Sequence, residues 1–187
     1  MTRLNLIAVD LSITQLLNKI LPHSILVDHF FSFLSLRGAS ILVWIIVIAI
    51  ILILEERKYP GIQKQDIKFI FVFLLAFTVS YITSDAILKN VFQRPRPAST
   101  NFNQFQPISA NCPKDNSFPS THATTAFAAA TVLTYFDKKR RWFYYLVAIL
   151  ISLSRIYLGC HFFFDVLTGG IIGWIISKLI ISQLRRI

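Results

Sequence analysis

The chain has 187 residues, a length suited to one domain, and 55% of them are hydrophobic. A soluble domain of this size has no interior large enough for so much apolar side chain, so the composition calls for a bilayer as solvent. The formal net charge of +10 would suggest nucleic acid in a soluble protein. Here the basic residues sit mostly in short segments between apolar runs, which favours a topology reading and no nucleic-acid partner.

Residues 1–37 read as an interfacial N-terminal segment. Leu6, Val9, Ile13, Leu16, Leu17 and Ile20 fall on one side of a helical wheel, with Asn5, Ser12, Gln15 and Lys19 opposite. That is the pattern of a helix lying in the membrane surface. Arg3 is a lone positive charge and Asp10 interrupts the apolar stretch, so no signal peptide is expected. Ile25–Leu36 is too short to span alone. It is a second interfacial piece or an extension of the first span, and His23 and His29 read as interfacial residues.

Five apolar runs follow: Ala39–Leu54, Ile67–Leu88, Thr121–Phe136, Trp142–Leu158 and Val166–Leu184. Each approaches the ~20 residues needed to cross the hydrocarbon core, and without water such runs must be helical. The expected fold is therefore all-α: a polytopic transmembrane helical bundle of five spans, with six as the alternative. It forms a single membrane-embedded domain over 1–187.

The basic connections set the orientation. Arg57, Lys58, Lys64 and Lys68, then Lys138-Lys139-Arg140-Arg141, then Arg185-Arg186 all fall on one side if five spans alternate. That side is cytoplasmic. The long connection 89–120, polar over Ser99–Asn116, then lies outside with the turn at Gly159–Phe164. Lys89, Arg94, Arg96 and Lys114 on that outer side run against the rule and need another explanation.

Three clusters meet at this outer level: KNVFQRPRP from Lys89, FPSTHA from Phe118, and SRIYLGCHFFFD from Ser154. Lys89, Arg94, Arg96 and Arg155 supply dense positive charge, and guanidinium forks match phosphate oxygens. Ser120, Thr121 and His122 open a helix, whose free N–H groups favour an anion. His161 and Asp165 are four apart, so Asp165 can orient the imidazole and leave Nε2 to attack. His122 is a second imidazole, able to protonate a leaving oxygen. The same His122, His161 and Asp165 also suit a metal, although the neighbouring cations oppose one. Taken singly, the basic residues suit snorkelling interface positions, and Asp85 four before Lys89 suits a helix-end ion pair.

These residues resemble the type 2 phosphatidic acid phosphatase family, membrane lipid phosphatases related to vanadium haloperoxidases. Its signatures are K-x6-RP, PSGH and SR-x5-H-x3-D. The chain has Lys89 with Arg96-Pro97, Pro119-Ser120-Thr121-His122, and Ser154-Arg155 with His161 and Asp165. The resemblance implies that Lys89, Arg96 and Arg155 bind phosphate, with Ser120 and the Thr121 N–H as further donors and Arg94 in assistance. It implies His161 as nucleophile, His122 as general acid, Asp165 as the partner of His161, and neither metal nor other cofactor. Thr121 stands where the family has Gly, a change that keeps the backbone N–H and narrows the pocket floor or adds a hydroxyl.

The implied substrate is a lipid phosphate at the outer face of a cytoplasmic membrane, as in compact bacterial forms. Undecaprenyl diphosphate is the first expectation, with phosphatidylglycerol phosphate, phosphatidate and lipid A phosphate as alternatives. An anion transporter or a non-catalytic lipid-binding protein is the reading from another class. Cys112 and Cys160 both fall on the outer side. Two free thiols are the default there, and a bridge is the alternative.

Overall fold

The computed structural model describes residues 3–36, 39–56, 61, 63–97 and 112–184. Arg57, Lys58, Arg185, Arg186 and the polar loop as far as Asn111 lie outside these residues. Every regular element among the described residues is helical. The helices are α1 (Arg3–Ile20), α2 (Ile25–Ser35), α3 (Ala39–Glu56), α4 (Lys64–Phe92), α5 (Thr121–Phe136), α6 (Arg141–Tyr157) and α7 (Phe163–Leu184). The last five begin and end within four residues of the five expected runs. Two of them, α4 with 29 residues and α7 with 22, are long and apolar enough to cross a bilayer.

Helix α5 stands at the centre, packed against α4, α6 and α7. Its run of Ala, Thr and Val, from Ala123 to Leu133, is buried almost throughout. Small side chains let the partners approach, and α7 answers with glycine. A Cβ at Gly173 would lie 2.0 Å from the Thr124 carbonyl oxygen, and one at Gly169 would lie 2.7 Å from that of Ser120. The stripe of small residues therefore serves helix packing. Around this centre, α3 buries Trp44, Val47 and Ile51 and turns Ile45, Ile46, Ile50 and Ile53 outward. Ile67, Phe71 and Leu74 on α4 and Ile171, Trp174 and Leu179 on α7 are likewise exposed, an apolar belt far beyond what a water-facing surface carries.

Helix α1 leaves the apolar side of its wheel uncovered and meets the protein through a polar stripe. Leu6, Val9, Leu16 and Ile20 are exposed, while Asp10 and Thr14 are buried. The residue that interrupts the apolar pattern is thus the one α1 presents to the protein. Asn18 continues this inward stripe, donating to the Tyr157 carbonyl at 2.8 Å. Helix α2 starts at Ser24, whose side chain accepts from the Val27 N–H, and buries Phe31 and Leu34. His23 stacks on the Tyr157 ring at 4.8 Å.

Helix α4 begins with a capping box, the Gln63 N–H donating to Asp66 at 2.8 Å. From Ile82 to Leu88 it widens into a π-helix, and the Lys89 N–H bonds to the Ser84 carbonyl, five residues back. Gln93 ends it in the left-handed region, at φ 45°. Pro95 and Pro97 prevent resumption. Cys112 and Cys160 form a disulfide with Cα atoms 5.3 Å apart, so the two-thiol expectation does not hold.

Candidate active site

The spacing of Arg155, His161 and Asp165 follows from two helix ends. Helix α6 closes in a Schellman motif: Cys160 N–H reaches the Arg155 carbonyl at 3.0 Å, and Gly159 N–H reaches that of Ile156 at 2.9 Å. Gly159 supplies the required positive φ, 70°. His161 N–H also bonds to the Arg155 carbonyl, at 3.1 Å, so arginine and histidine are locked at one corner. Helix α7 then opens with half a capping box, the Phe162 N–H donating to Asp165 Oδ2 at 2.9 Å. That turns the carboxylate back toward His161.

Helix α4 delivers the second cluster. Lys89 is buried in its last turn, with Nζ 2.6 Å from Asp85 and in contact with the Asp115 carboxylate. Beyond the Gln93 stop, Arg96 is 4% exposed and fully engaged. It donates to the Asp115 carbonyl at 2.8 Å, the Asp115 carboxylate at 2.7 Å and the Cys160 carbonyl at 2.9 Å. The third cluster opens α5. Ser120 holds the N-cap position without a side-chain capping bond. Its buried Oγ finds no hydrogen-bond partner among the described residues. Thr121, in place of the family's Gly, donates its hydroxyl to Asp85 at 3.1 Å.

Lys89, Arg96, Thr121, His122, Arg155 and His161 line one cavity of about 370 Å³, together with Asp85 and Asp115. Arg155 spends one nitrogen on the Ser35 carbonyl, at 3.0 Å. Its Nε and second terminal nitrogen have no hydrogen-bond partner among the described residues. Buried donors of this kind are costly unless an acceptor meets them. Arg155 thus brings two unspent buried donors to the cavity, while the equally unspent Ser120 hydroxyl is not among the residues that line it.

The His161 ring is held in one tautomer. Arg96 lies 2.8 Å from Nε2, and a guanidinium has no lone pair to offer, so Nε2 accepts and Nδ1 carries the proton. Nδ1 is 3.6 Å from Asp165 Oδ2, longer than a hydrogen bond, and the Ser117 backbone also interacts with the ring. Burial first, then the charges of Arg96 and Arg155, push the imidazole well below its ordinary 6.5. Both the Nε2 contact with Arg96 and this downward shift favour the neutral ring.

Two placements depart from what the sequence suggests. Arg94 does not line the cavity. It bridges Asp10 at 2.6 Å and Asp165 at 2.7 Å, over the Phe162 ring at 4.1 Å, so its fork is committed to carboxylates. Asp115, from the polar loop, meets Lys89 and Arg96, two of the expected phosphate ligands. Burial alone would raise its carboxyl. The Lys89 hydrogen bond and the two positive charges win, and lower it to about 2. Asp10 and Asp115 were hidden in sequence because one lies in an amphipathic helix and the other in a loop without period. Among the described residues no three His, Cys, Asp or Glu side chains come together as a metal-binding group.

Comparison with known proteins agrees with this geometry. The PAP2 superfamily profile matches residues 69–187. An undecaprenyl-diphosphatase of Sulfolobus acidocaldarius is 32% identical over 150 residues, which cover 79% of this chain and 66% of that protein. Phosphatidylglycerophosphatase B of Bacillus subtilis is 31% identical over 105 residues, 50% of this chain and 48% of that one. The chain thus spans less than two thirds of either curated relative. The crystal structure of Aquifex aeolicus LpxE superposes with a TM-score of 0.62 and 27% identity, over 92% of this chain and 94% of that one. With three motifs folded onto one cavity and a family match over most of the chain, the assignment follows: this protein belongs to the PAP2 superfamily.

Proposed function

We propose that the protein is an integral membrane phosphatase that hydrolyses a lipid phosphate monoester or diphosphate, with undecaprenyl diphosphate as the first substrate. The observation that carries this reading is the 370 Å³ cavity that gathers three cations, two imidazoles and unspent buried donors. Lys89, Arg96, Arg155, the Ser120 hydroxyl and the Thr121 N–H hold the phosphoryl oxygens. His161 Nε2 attacks phosphorus and the bond to the leaving oxygen breaks, while His122 supplies that oxygen with a proton. Asp165 closes on Nδ1–H and balances the charge of the phosphohistidine. Water, deprotonated by His122, then attacks phosphorus, and the N–P bond breaks to release inorganic phosphate. No metal or other cofactor takes part.

In this reading α3 to α7 are five spans and α1 is interfacial. Exposed apolar faces on α3, α4 and α7 support it, as does the basic turn Lys138–Arg141 at the end of the bundle away from the cavity. The site then faces the outer side of a cytoplasmic membrane, where a lipid headgroup lies and the tail stays in the bilayer. The test is phosphate release in detergent with EDTA, from undecaprenyl diphosphate, phosphatidylglycerol phosphate, phosphatidate and lipid A phosphate. Release undiminished by EDTA and fastest on undecaprenyl diphosphate is expected. No release from any of them would end the reading, and loss with EDTA would end its metal-free form.

Asp115 gives a second expectation. Its carboxylate holds the cations that phosphate needs, so substrate must displace it. The side chain is 41% exposed, which limits its hold on the cations. Asp115→Asn is expected to tighten product inhibition by inorganic phosphate roughly two- to fivefold. Unchanged or weaker inhibition would show that Asp115 does not compete for the site.

A further inference from the structure

The first turn of α7 is capped by another helix. Phe163 N–H donates to Thr14 Oγ at 2.9 Å, and Phe164 N–H donates to Asp10 Oδ1 at 2.9 Å. The other Asp10 oxygen takes Arg94, 84 residues along the chain, at 2.6 Å. Arg94 in turn holds Asp165 Oδ1 at 2.7 Å, and Asp165 Oδ2 is the oxygen that faces His161 Nδ1. Asp10 is 1% exposed and Asp165 is fully buried. Ion pairs this deep are costly to build and seldom retained for stability alone. One guanidinium between two carboxylates leaves a single negative charge beside the His161 ring.

We propose that Asp10 and Arg94 are positioning residues for the reaction: the N-terminal helix holds Asp165 against His161 and sets the charge of the nucleophile's surroundings. This rests on the phosphohistidine reading above. Asp10 lies outside the region matched by the family profile, so α1 contributes to the site from beyond it. In the free site Asp165 stands 3.6 Å from Nδ1. Positive charge develops on the ring as Nε2 bonds to phosphorus, and the fixed negative charge draws that short gap closed. Phosphate binding does not involve the pair, since Asp10 is an acceptor and the Arg94 fork is spent on two carboxylates.

Two substitutions and their combination test this. Asp10→Asn keeps an oxygen for the Phe164 N–H and removes the charge. Its kcat is expected to fall roughly tenfold with KM within about twofold of wild type, the scale of an outer-shell orienting partner. Arg94→Gln leaves two buried carboxylates without a cation between them. They must share a proton, and kcat is expected to fall roughly a hundredfold. The double variant leaves Asp165 as the sole carboxylate, ionised again, so its kcat is expected to rise above that of Arg94→Gln alone. A purely structural role predicts the reverse, with the double variant at or below the weaker single one, and that result would overturn the proposal. So would an Asp10→Asn enzyme with unchanged kcat, or one whose loss lies wholly in KM. If Arg94→Gln elutes as aggregate in detergent, the kcat and KM of Asp10→Asn decide alone. A wild-type chain inactive on every lipid phosphate ends both readings. An active one that is lost on His161→Asn but indifferent to Asp10→Asn ends only this one.

Discussion

His161→Asn should reduce lipid-phosphate hydrolysis by on the order of a thousandfold or more, the loss expected when a covalent nucleophile is removed from a unit of cooperating groups. The ring has two distinct ends in the structure. Nε2 is turned to the cation cluster and Nδ1 to Asp165, so attack is possible from one nitrogen only. Asparagine fits the same corner, because the backbone bond from His161 N–H to Arg155 remains. Lys89 and Arg155 keep their contacts and Arg96 loses only the one to Nε2, so inhibition by inorganic phosphate should persist while turnover vanishes. Radiolabelled substrate should leave an acid-labile phosphoryl group on wild type and none on the variant. His29→Asn, at an exposed ring on α2, should change nothing. Full hydrolysis by His161→Asn would remove the phosphohistidine mechanism, and phosphate movement without hydrolysis in either protein would favour an anion transporter.

The second large effect is expected at Gly173, far from any charge. An added methyl there would sit 2.0 Å from the Thr124 carbonyl oxygen and 2.9 Å from its carbon. Both are backbone atoms of the central helix, so no side chain can swing aside. Helices α5 and α7 must separate, at a cost of about 3 kcal/mol, the upper end of ordinary overpacking. For a chain of this size that lowers an apparent melting temperature by about 6–12 °C. Activity should fall too, since α5 carries Ser120 and His122 while α7 carries Asp165. Gly170→Ala is the control. The atoms nearest its methyl belong to the Phe127 ring, from 3.1 Å, and a ring can give way. Equal melting temperatures for the two variants would show that the α5–α7 approach tolerates a wider gap.

The sequence was most legible where a local rule decides the outcome. Apolar runs bounded by Lys64, Ser120, Arg141 and Gly159 mark helices α4 to α7 because caps, prolines and chain polarity are local. Arg155, His161 and Asp165 could be grouped from spacing alone, since a Schellman end and a capping box together fix that interval. Contacts between distant residues were not legible. Asp10 looked like a mere interruption of an apolar stretch, because nothing near it in sequence reveals that Arg94 will arrive. Arg94 looked like one more phosphate ligand, because charge alone does not say which anion it meets. Asp115 lies in a loop whose path is set by the bond between Cys112 and Cys160, and two cysteines 48 residues apart can as well stay free.

That bond has a consequence for when the protein becomes competent. Arg96 takes its contacts from both ends of the bridge: the Cys160 carbonyl on one side and Asp115, three residues after Cys112, on the other. The surroundings of Arg96 are therefore set by oxidation as well as by folding. Reduction of that bond would leave the segment from Cys112 to Asp115 held by noncovalent contacts alone, and the surroundings of Arg96 without their covalent tie.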